Sequence, residues 1–222
     1  TGVQTCALPI YHGAAIWTVY CDRINVTNCR FEYGTSSKGH IVTEGDVGGY
    51  TTNLQITDCY FGESTEEAID INAKTKNVII SDNIFYKNYT SPPLPGENTE
   101  VIDIGSNSDC TDITISNNIV DGDSDPECFV YIKQGSERVT VENNIVTNLS
   151  VTSTDPGASF AHIANAKHVN IFGNTVANAC RLAIIHERSS TVKAEYINII
   201  GNLISNVIEE GIRLDDCTSP TA

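Results

Sequence analysis

The sequence predicts an all-β solenoid of parallel strands, on three observations. An eight-residue unit recurs seven times, its first and third positions are always Ile, Leu or Val, and its sixth is always Cys or Asn. The copies are INVTNCRF (24–31), LQITDCYF (54–61), VIISDNIF (78–85), ITISNNIV (113–120), VTVENNIV (139–146), VNIFGNTV (169–176) and INIIGNLI (197–204), starting 30, 24, 35, 26, 30 and 28 residues apart. Alternation of period two is what a half-buried strand produces and a helix does not. The sixth position, Cys29, Cys59, Asn83, Asn118, Asn144, Asn174 and Asn202, predicts a polar ladder at the turn after each strand. Stacked amides there satisfy turn backbone groups that are otherwise buried without partners.

A second strand precedes most units: EAIDIN, EVIDIG, CFVYIK, FAHIAN, LAIIHE and a final GIRLDD. Each turn then carries at least two strands, and about seven to eight coils, none able to bury its apolar face alone, stack into one continuous core. Longer connections at 86–100, 147–159 and 187–195 are rich in Pro, Gly, Ser and Thr and read as loops that wall a groove on one side.

Composition bounds the function. The 222 residues carry 13 Lys+Arg against 28 Asp+Glu, a formal charge of -15. That excess of acid excludes binding to phosphate backbones, so no nucleic acid is expected as a partner. No apolar run is long enough for a membrane-spanning helix, and 40% hydrophobic residues are too many for a disordered chain. The first ten residues, TGVQTCALPI, reverse-translate into a common short-read sequencing adapter, and the chain has no Met. Residues 1–10 are therefore read as adapter-derived. Residues 11–222 are expected to be a single solenoid domain truncated at both ends, its leader segment outside the sequence.

The succession of a GIRL-like strand, a short turn and VTIxNNxI resembles the right-handed parallel β-helix repeat of pectate-lyase-like proteins, across nearly all of residues 14–216. The resemblance implies a secreted, periplasmic or cell-surface protein with a polysaccharide as partner. It covers lyases, glycoside hydrolases, epimerases, spikes and non-catalytic surface proteins alike. Neither a pectate-lyase signature nor the paired-Asp motifs of polygalacturonases is present, so no family residue carries over. The oligomeric state is not legible.

With Ile69/Ile71, Ile102/Ile104, Val130/Ile132, Ala161/Ile163 and Ile212/Leu214 inward, Asp70, Asp103, Tyr131, His162 and Arg213 face out in one stripe. The coil between His162 and Arg213 supplies Ile184, or Ala183 and Ile185 in the other register of LAII. Carboxylates on neighbouring coils repel, so Asp70 and Asp103 either share a proton or hold a cation, with Ca2+ the natural candidate. Pectate-lyase-like enzymes resemble this in using Ca2+ and a basic residue. On that resemblance Asp70 and Asp103 bind Ca2+, His162 or Arg213 is the base, and Tyr131 protonates the leaving oxygen. Arg213 alternatively clamps a substrate carboxylate. A glycoside hydrolase with Asp70 and Asp103 as its carboxyl pair is the other enzymatic reading. Phe129 and Phe160 lie beside the stripe as candidate sugar-stacking residues, or else as core corners. Outward strand positions are polar on any solvated sheet, so the stripe also reads as plain surface, and the chain as a non-catalytic adhesion or spike solenoid.

Minor motifs add little. Asp121, Asp123 and Asp125 have the alternate spacing of an EF-hand loop, but Pro126 stands where that loop requires Gly. His186 and Asp215 share a second outward column if Ala183 is inside. Cys29 and Cys59 read as buried thiols, since in-register neighbours are poorly placed for a bridge. The sequons at Asn25, Asn88 and Asn148 arise easily in an Asn-rich repeat.

Overall fold

The computed structural model describes residues 14–34, 39–44, 49–64, 66–72, 74–87, 100–105, 109–123, 128–149, 159–179, 181–186, 194–209 and 211–215. The adapter-like segment, most of the three long connections, Asn88 and Asp125 lie outside the described residues. Among the described residues every regular element is a strand, and every strand pairing is parallel.

Three sheets run the length of the solenoid. The first has eight strands: Ile16–Val19, Ile41–Glu44, Ile69–Ile71, Glu100–Ile104, Cys128–Ile132, Ser159–Ala164, Ala183–His186 and Ile212–Asp215. The second and third have seven each and divide the repeat unit between them. Positions one to four end a second-sheet strand such as Cys110–Ser116, and positions seven and eight lie on a third-sheet strand such as Ile119–Asp121. The two N-terminal strands of the first sheet, Ile16–Val19 and Ile41–Glu44, escape a search for the repeat because IVTE puts Thr43, not an aliphatic residue, inward. There its hydroxyl meets that of Thr75 at 2.9 Å.

The corner between these sheets is a left-handed residue followed by the ladder. Position five, Asn28, Asp58, Asp82, Asn117, Asn143, Gly173 and Gly201, has φ between 53° and 67°, the region Asn, Asp and Gly tolerate best. Asn118 shows what position six does. Its Oδ1 accepts from the backbone N–H of Asn83 at 3.0 Å and from Asn83 Nδ2 at 3.1 Å, while its Nδ2 donates to the Ile80 carbonyl at 3.0 Å and to Asn144 Oδ1 at 2.9 Å. The pattern repeats from Asn83 to Asn202. At the N-terminal end, Cys29 and Cys59 are buried, and the Cys29 N–H donates to Cys59 Sγ at 3.4 Å.

Inside, Ile, Val and Leu of the three sheets meet in one core, with Phe31, Phe61 and Phe85 stacked at 4.9 Å between centroids. Where a first-sheet strand begins, the period of two breaks. Ala68 and Ile69, Val101 and Ile102, Phe129 and Val130, and Phe160 and Ala161 are consecutive core residues. The chain turns a corner there, so two neighbours face the interior. Phe129 and Phe160 therefore pack inside, 5.4 Å apart and fully buried, with Phe129 edge-on to Phe85. Of the two readings, sugar-stacking residue or core corner, the structure shows the core corner, which corrects the placement of Phe129 and Phe160 as substrate-binding residues.

Candidate functional site

The first sheet brings the predicted stripe together. Asp70 pairs in register with Asp103, Asp103 with Tyr131, Tyr131 with His162, His162 with Ile184, and Ile184 with Arg213. Ala183, in register with Ala161, is buried in the core, so LAII takes the register that puts Ile184 in the row. Asp70, Asp103, Tyr131 and His162 thus sit on four successive rungs, about 4.8 Å apart. Arg213 lies two rungs beyond His162. At the other end the row continues through Val42 to Trp17.

The row is not plain solvated surface. Asp103, Tyr131 and His162 are 6%, 5% and 3% exposed, and Val42 is wholly buried. Tyr131 and His162 stack with centroids 4.3 Å apart and planes 11° from parallel. The Lys133 ammonium lies 4.9 Å from the Tyr131 ring centroid and forms an ion pair with Asp103 Oδ2. Asp70 Oδ2 accepts from Asn72 Nδ2 at 2.7 Å. The open edge of the cluster is at Asp70, Asn72 and Lys133, whose side chain is 31% exposed.

Lys133 and Glu100 are the residues a repeat search passes over. Lys133 stands two positions after Tyr131, so period two places both on the same face of the sheet; that signal was available in CFVYIK. Its in-register neighbour is Gly105, with φ of +86°, where a Cβ would sit 2.6 Å from Ser136 Oγ. Lys133 reaches back across one rung to Asp103. Glu100 begins the same strand as Asp103 and is 4% exposed.

Burial dominates the electrostatics. It pushes the Asp103 carboxyl up to about 6, against the pull of the Lys133 charge and hydrogen bond, with Glu67 adding a smaller push. Glu100 is driven well above the ordinary carboxylate range, first by burial and then by Asp103. For Lys133 burial works downward, but the charges of Asp103, Glu100 and Glu67 outweigh it and hold the ammonium above its ordinary value. The result is a desolvated cluster in which one fixed cation compensates several carboxyls.

Calcium, the expected guest of Asp70 and Asp103, would compete at Asp103 with the Lys133 ammonium. Ca2+ takes six to eight oxygen ligands. Here Lys133 already supplies the positive charge at Asp103, and among the described residues no three His, Cys, Asp or Glu side chains gather to hold a metal. In the turn after Ile119–Asp121, Asp121 Oδ1 accepts from the Asp123 N–H and from Asn148 Nδ2, an ordinary capped turn. His186 and Asp215 are in backbone register.

Residues 10–160 match the family model described as the right handed beta helix region. The chain belongs to the right-handed β-helix family. No curated protein matches it by sequence. Among solved structures this β-helix is similar to the alginate lyase from Paenibacillus sp. str. FPU-7, at 14% identity and a TM-score of 0.64, over 91% of this chain and 75% of that one. It is also similar to PfbA, a surface adhesin of Streptococcus pneumoniae, at 16% identity and a TM-score of 0.62, over 90% of this chain and 59% of the adhesin. A second PfbA structure aligns with a TM-score of 0.59 and is spanned over 49% of its length. At these identities the likeness is one of fold.

Proposed function

We propose that this β-helix is a secreted or cell-surface, carbohydrate-active protein that cleaves an acidic polysaccharide by β-elimination without calcium. The observation that carries the reading is the enclosed Tyr131–His162 stack beside the Lys133 ammonium, which reaches the open edge of the cluster. Elimination from a uronate needs three things: a cation near the sugar carboxylate, a base for the ring proton beside it, and an acid for the departing glycosidic oxygen. Arg213, two rungs past His162, supplies positive charge, while Lys133 offsets the negative charge of Asp103 beside the stack. His162 takes the ring proton and Tyr131 gives its phenolic proton to the leaving oxygen, so one proton is removed and one returned as the C–O bond breaks. The similarity to an alginate lyase fold agrees with this chemistry.

The near-complete burial of Tyr131 and His162 favours a second reading, a binding solenoid of the kind the adhesin likeness suggests. One experiment separates them: incubate the protein with a panel of polyuronates, with and without chelator, and follow both ultraviolet absorbance and new reducing ends. Absorbance from unsaturated ends that survives chelator is the expected result. Loss with chelator would restore the calcium mechanism, reducing ends without absorbance would mean hydrolysis, and silence with retained polymer binding would favour the adhesin-like reading.

A further inference from the structure

On the outer face of the second sheet, Gln55, Ile79, Thr114, Thr140 and Asn170 stand in register on five successive strands, all interior to the stack. Each has a neighbouring strand on both sides, so its exposure is lateral and owes nothing to where the chain begins or ends. None of the five is buried and none is charged, on a chain of net charge -15. Beside this row runs a column of left-handed residues, Asn53, Asn77, Asp112 and Arg138, with φ between 56° and 62° and left out of the pairing ladder. A residue unpaired in this way bends its strand as a bulge does. Between row and column lies an open recess of about 270 Å³, lined by Asn53, Gln55, Asn77, Ile79, Asp112 and Thr114.

At the centre of the recess Ile79 is 40% exposed. The Gln55 amide stands one rung before it and the Thr114 hydroxyl one rung after, about 4.8 Å to either side. Among the described residues neither Gln55 nor Thr114 has a side-chain hydrogen-bond partner. The rim, in contrast, is fixed. Asn77 Nδ2 donates to Asn53 Oδ1 at 3.1 Å, and the Arg138 guanidinium donates to both oxygens of Asp112, at 2.6 and 2.9 Å. Those bonds hold the Asp112 carboxyl below its ordinary value, so it stands as an ionised acceptor.

We infer that this recess binds a neutral sugar unit of a glycan chain laid along the second sheet, at a site separate from the Tyr131–His162 stack. Amides and hydroxyls both donate and accept, as sugar hydroxyls do, and a half-exposed isoleucine between them takes the C–H face of the ring. An acidic sugar fits poorly. The cations on strands Thr51–Thr57, Thr75–Ser81, Cys110–Ser116 and Ser136–Glu142 are Lys76 and Arg138. Lys76 lies over the Tyr50 ring at 3.6 Å, and Arg138 is paired with Asp112 and Glu137. A carboxylate entering the recess would meet Asp112 with no cation to spare. The site therefore selects against the polyuronate proposed for the first sheet, and it stands whether or not that cleavage occurs. Thr140 and Asn170 extend the uncharged row, giving a chain of several rings a place to lie.

The test follows isotope-labelled isoleucine methyl groups of the whole chain by NMR, with the Ile79 signal assigned through its loss in Ile79→Val. Neutral hexasaccharides of glucose, of mannose and of galactose are titrated in separately, alongside a uronate hexamer. At least one neutral hexamer is expected to shift the Ile79 methyl to saturation, and the uronate hexamer to leave it in place. Gln55→Ala and Thr114→Val should each weaken that binding roughly fivefold, with Tm and any polyuronate turnover unchanged. Silence of the Ile79 methyl toward all three neutral hexamers would overturn the inference, as would an equal response to the uronate or undiminished affinity in both variants. A shift that follows protein concentration without sugar would mean that a second copy covers the recess, and would overturn it too. A saturable Ile79 response in a protein that cleaves no polyuronate would uphold this site and sink only the lyase reading.

Discussion

Tyr131 and His162 lie face to face on neighbouring rungs, 4.3 Å apart, and the Lys133 that approaches the tyrosine ring also neutralises Asp103 one rung back. A ring stack, an ion pair and a rigid ladder thus hold these groups in one arrangement. The arrangement is preorganised, as proton transfer requires.

Tyr131→Phe keeps the stacked ring and removes only the hydroxyl. Under the elimination mechanism kcat should fall about a hundredfold or more, with Tm little changed. His162→Ala should cost as much in kcat and also lose the stack. Undiminished turnover in either variant would take that residue out of the mechanism.

Lys133→Met should make stability strongly pH-dependent. A carboxyl raised in the folded state binds its proton more tightly there than in the unfolded chain, so stability is greatest in acid and declines as pH rises. For Asp103 the decline runs from its ordinary value of 3.8 through about 6. Without Lys133 the window extends to higher pH, and the loss at neutrality should be roughly 2 kcal/mol, less than for a fully enclosed pair because Lys133 is partly exposed. Chemical denaturation of wild type and variant across pH 4 to 8 checks this. A pH-independent difference would refute it.

His40 acts in the opposite sense. It stands at the buried corner near Phe31 and Phe61, at 5.7 and 6.0 Å between centroids, and burial lowers its pKa to about 4, against backbone hydrogen bonds with Gly62 and Glu63. Its neutral form belongs to the fold, so its contribution is present above 6.5 and lost as pH falls through about 4. The difference amounts to about 3 kcal/mol. His40→Phe should lose less stability than wild type between pH 6.5 and 4, read from the midpoint of urea unfolding at each pH.

Asn144→Ala should destabilise by about 3 kcal/mol, because it strips partners from the Asn118 backbone N–H and the Ile115 carbonyl in a dry corner. Its Tm should fall more than that of a change at an exposed amide such as Asn198→Ala. Equal shifts would mean that the ladder adds no more than surface amides do.

Salt should help rather than hinder a polyuronate. The chain carries a net charge of -15, and its repulsion of a polyanion is screened beyond about 8 Å at physiological ionic strength. KM should fall as NaCl is raised from low to physiological levels. A rise in KM would show that local cations, not the global field, govern encounter.

The sequence by itself determined the solenoid, the inward and outward faces and the register of the row from Asp70 to His162, and left the coil of Ile184 in two registers. These follow from features local to each coil: alternation of period two, a left-handed Asn, Asp or Gly, and an Asn at the turn, repeated until neighbours had to align. The tertiary structure alone decided which way Phe129 and Phe160 point, since the corner that turns them inward leaves no mark on the alternation. It also decided that Lys133 pairs with Asp103, and that Tyr131 and His162 are enclosed. Ion pairing and burial depend on what lies across from a residue on other coils, roughly thirty residues away in sequence, and no local pattern encodes that.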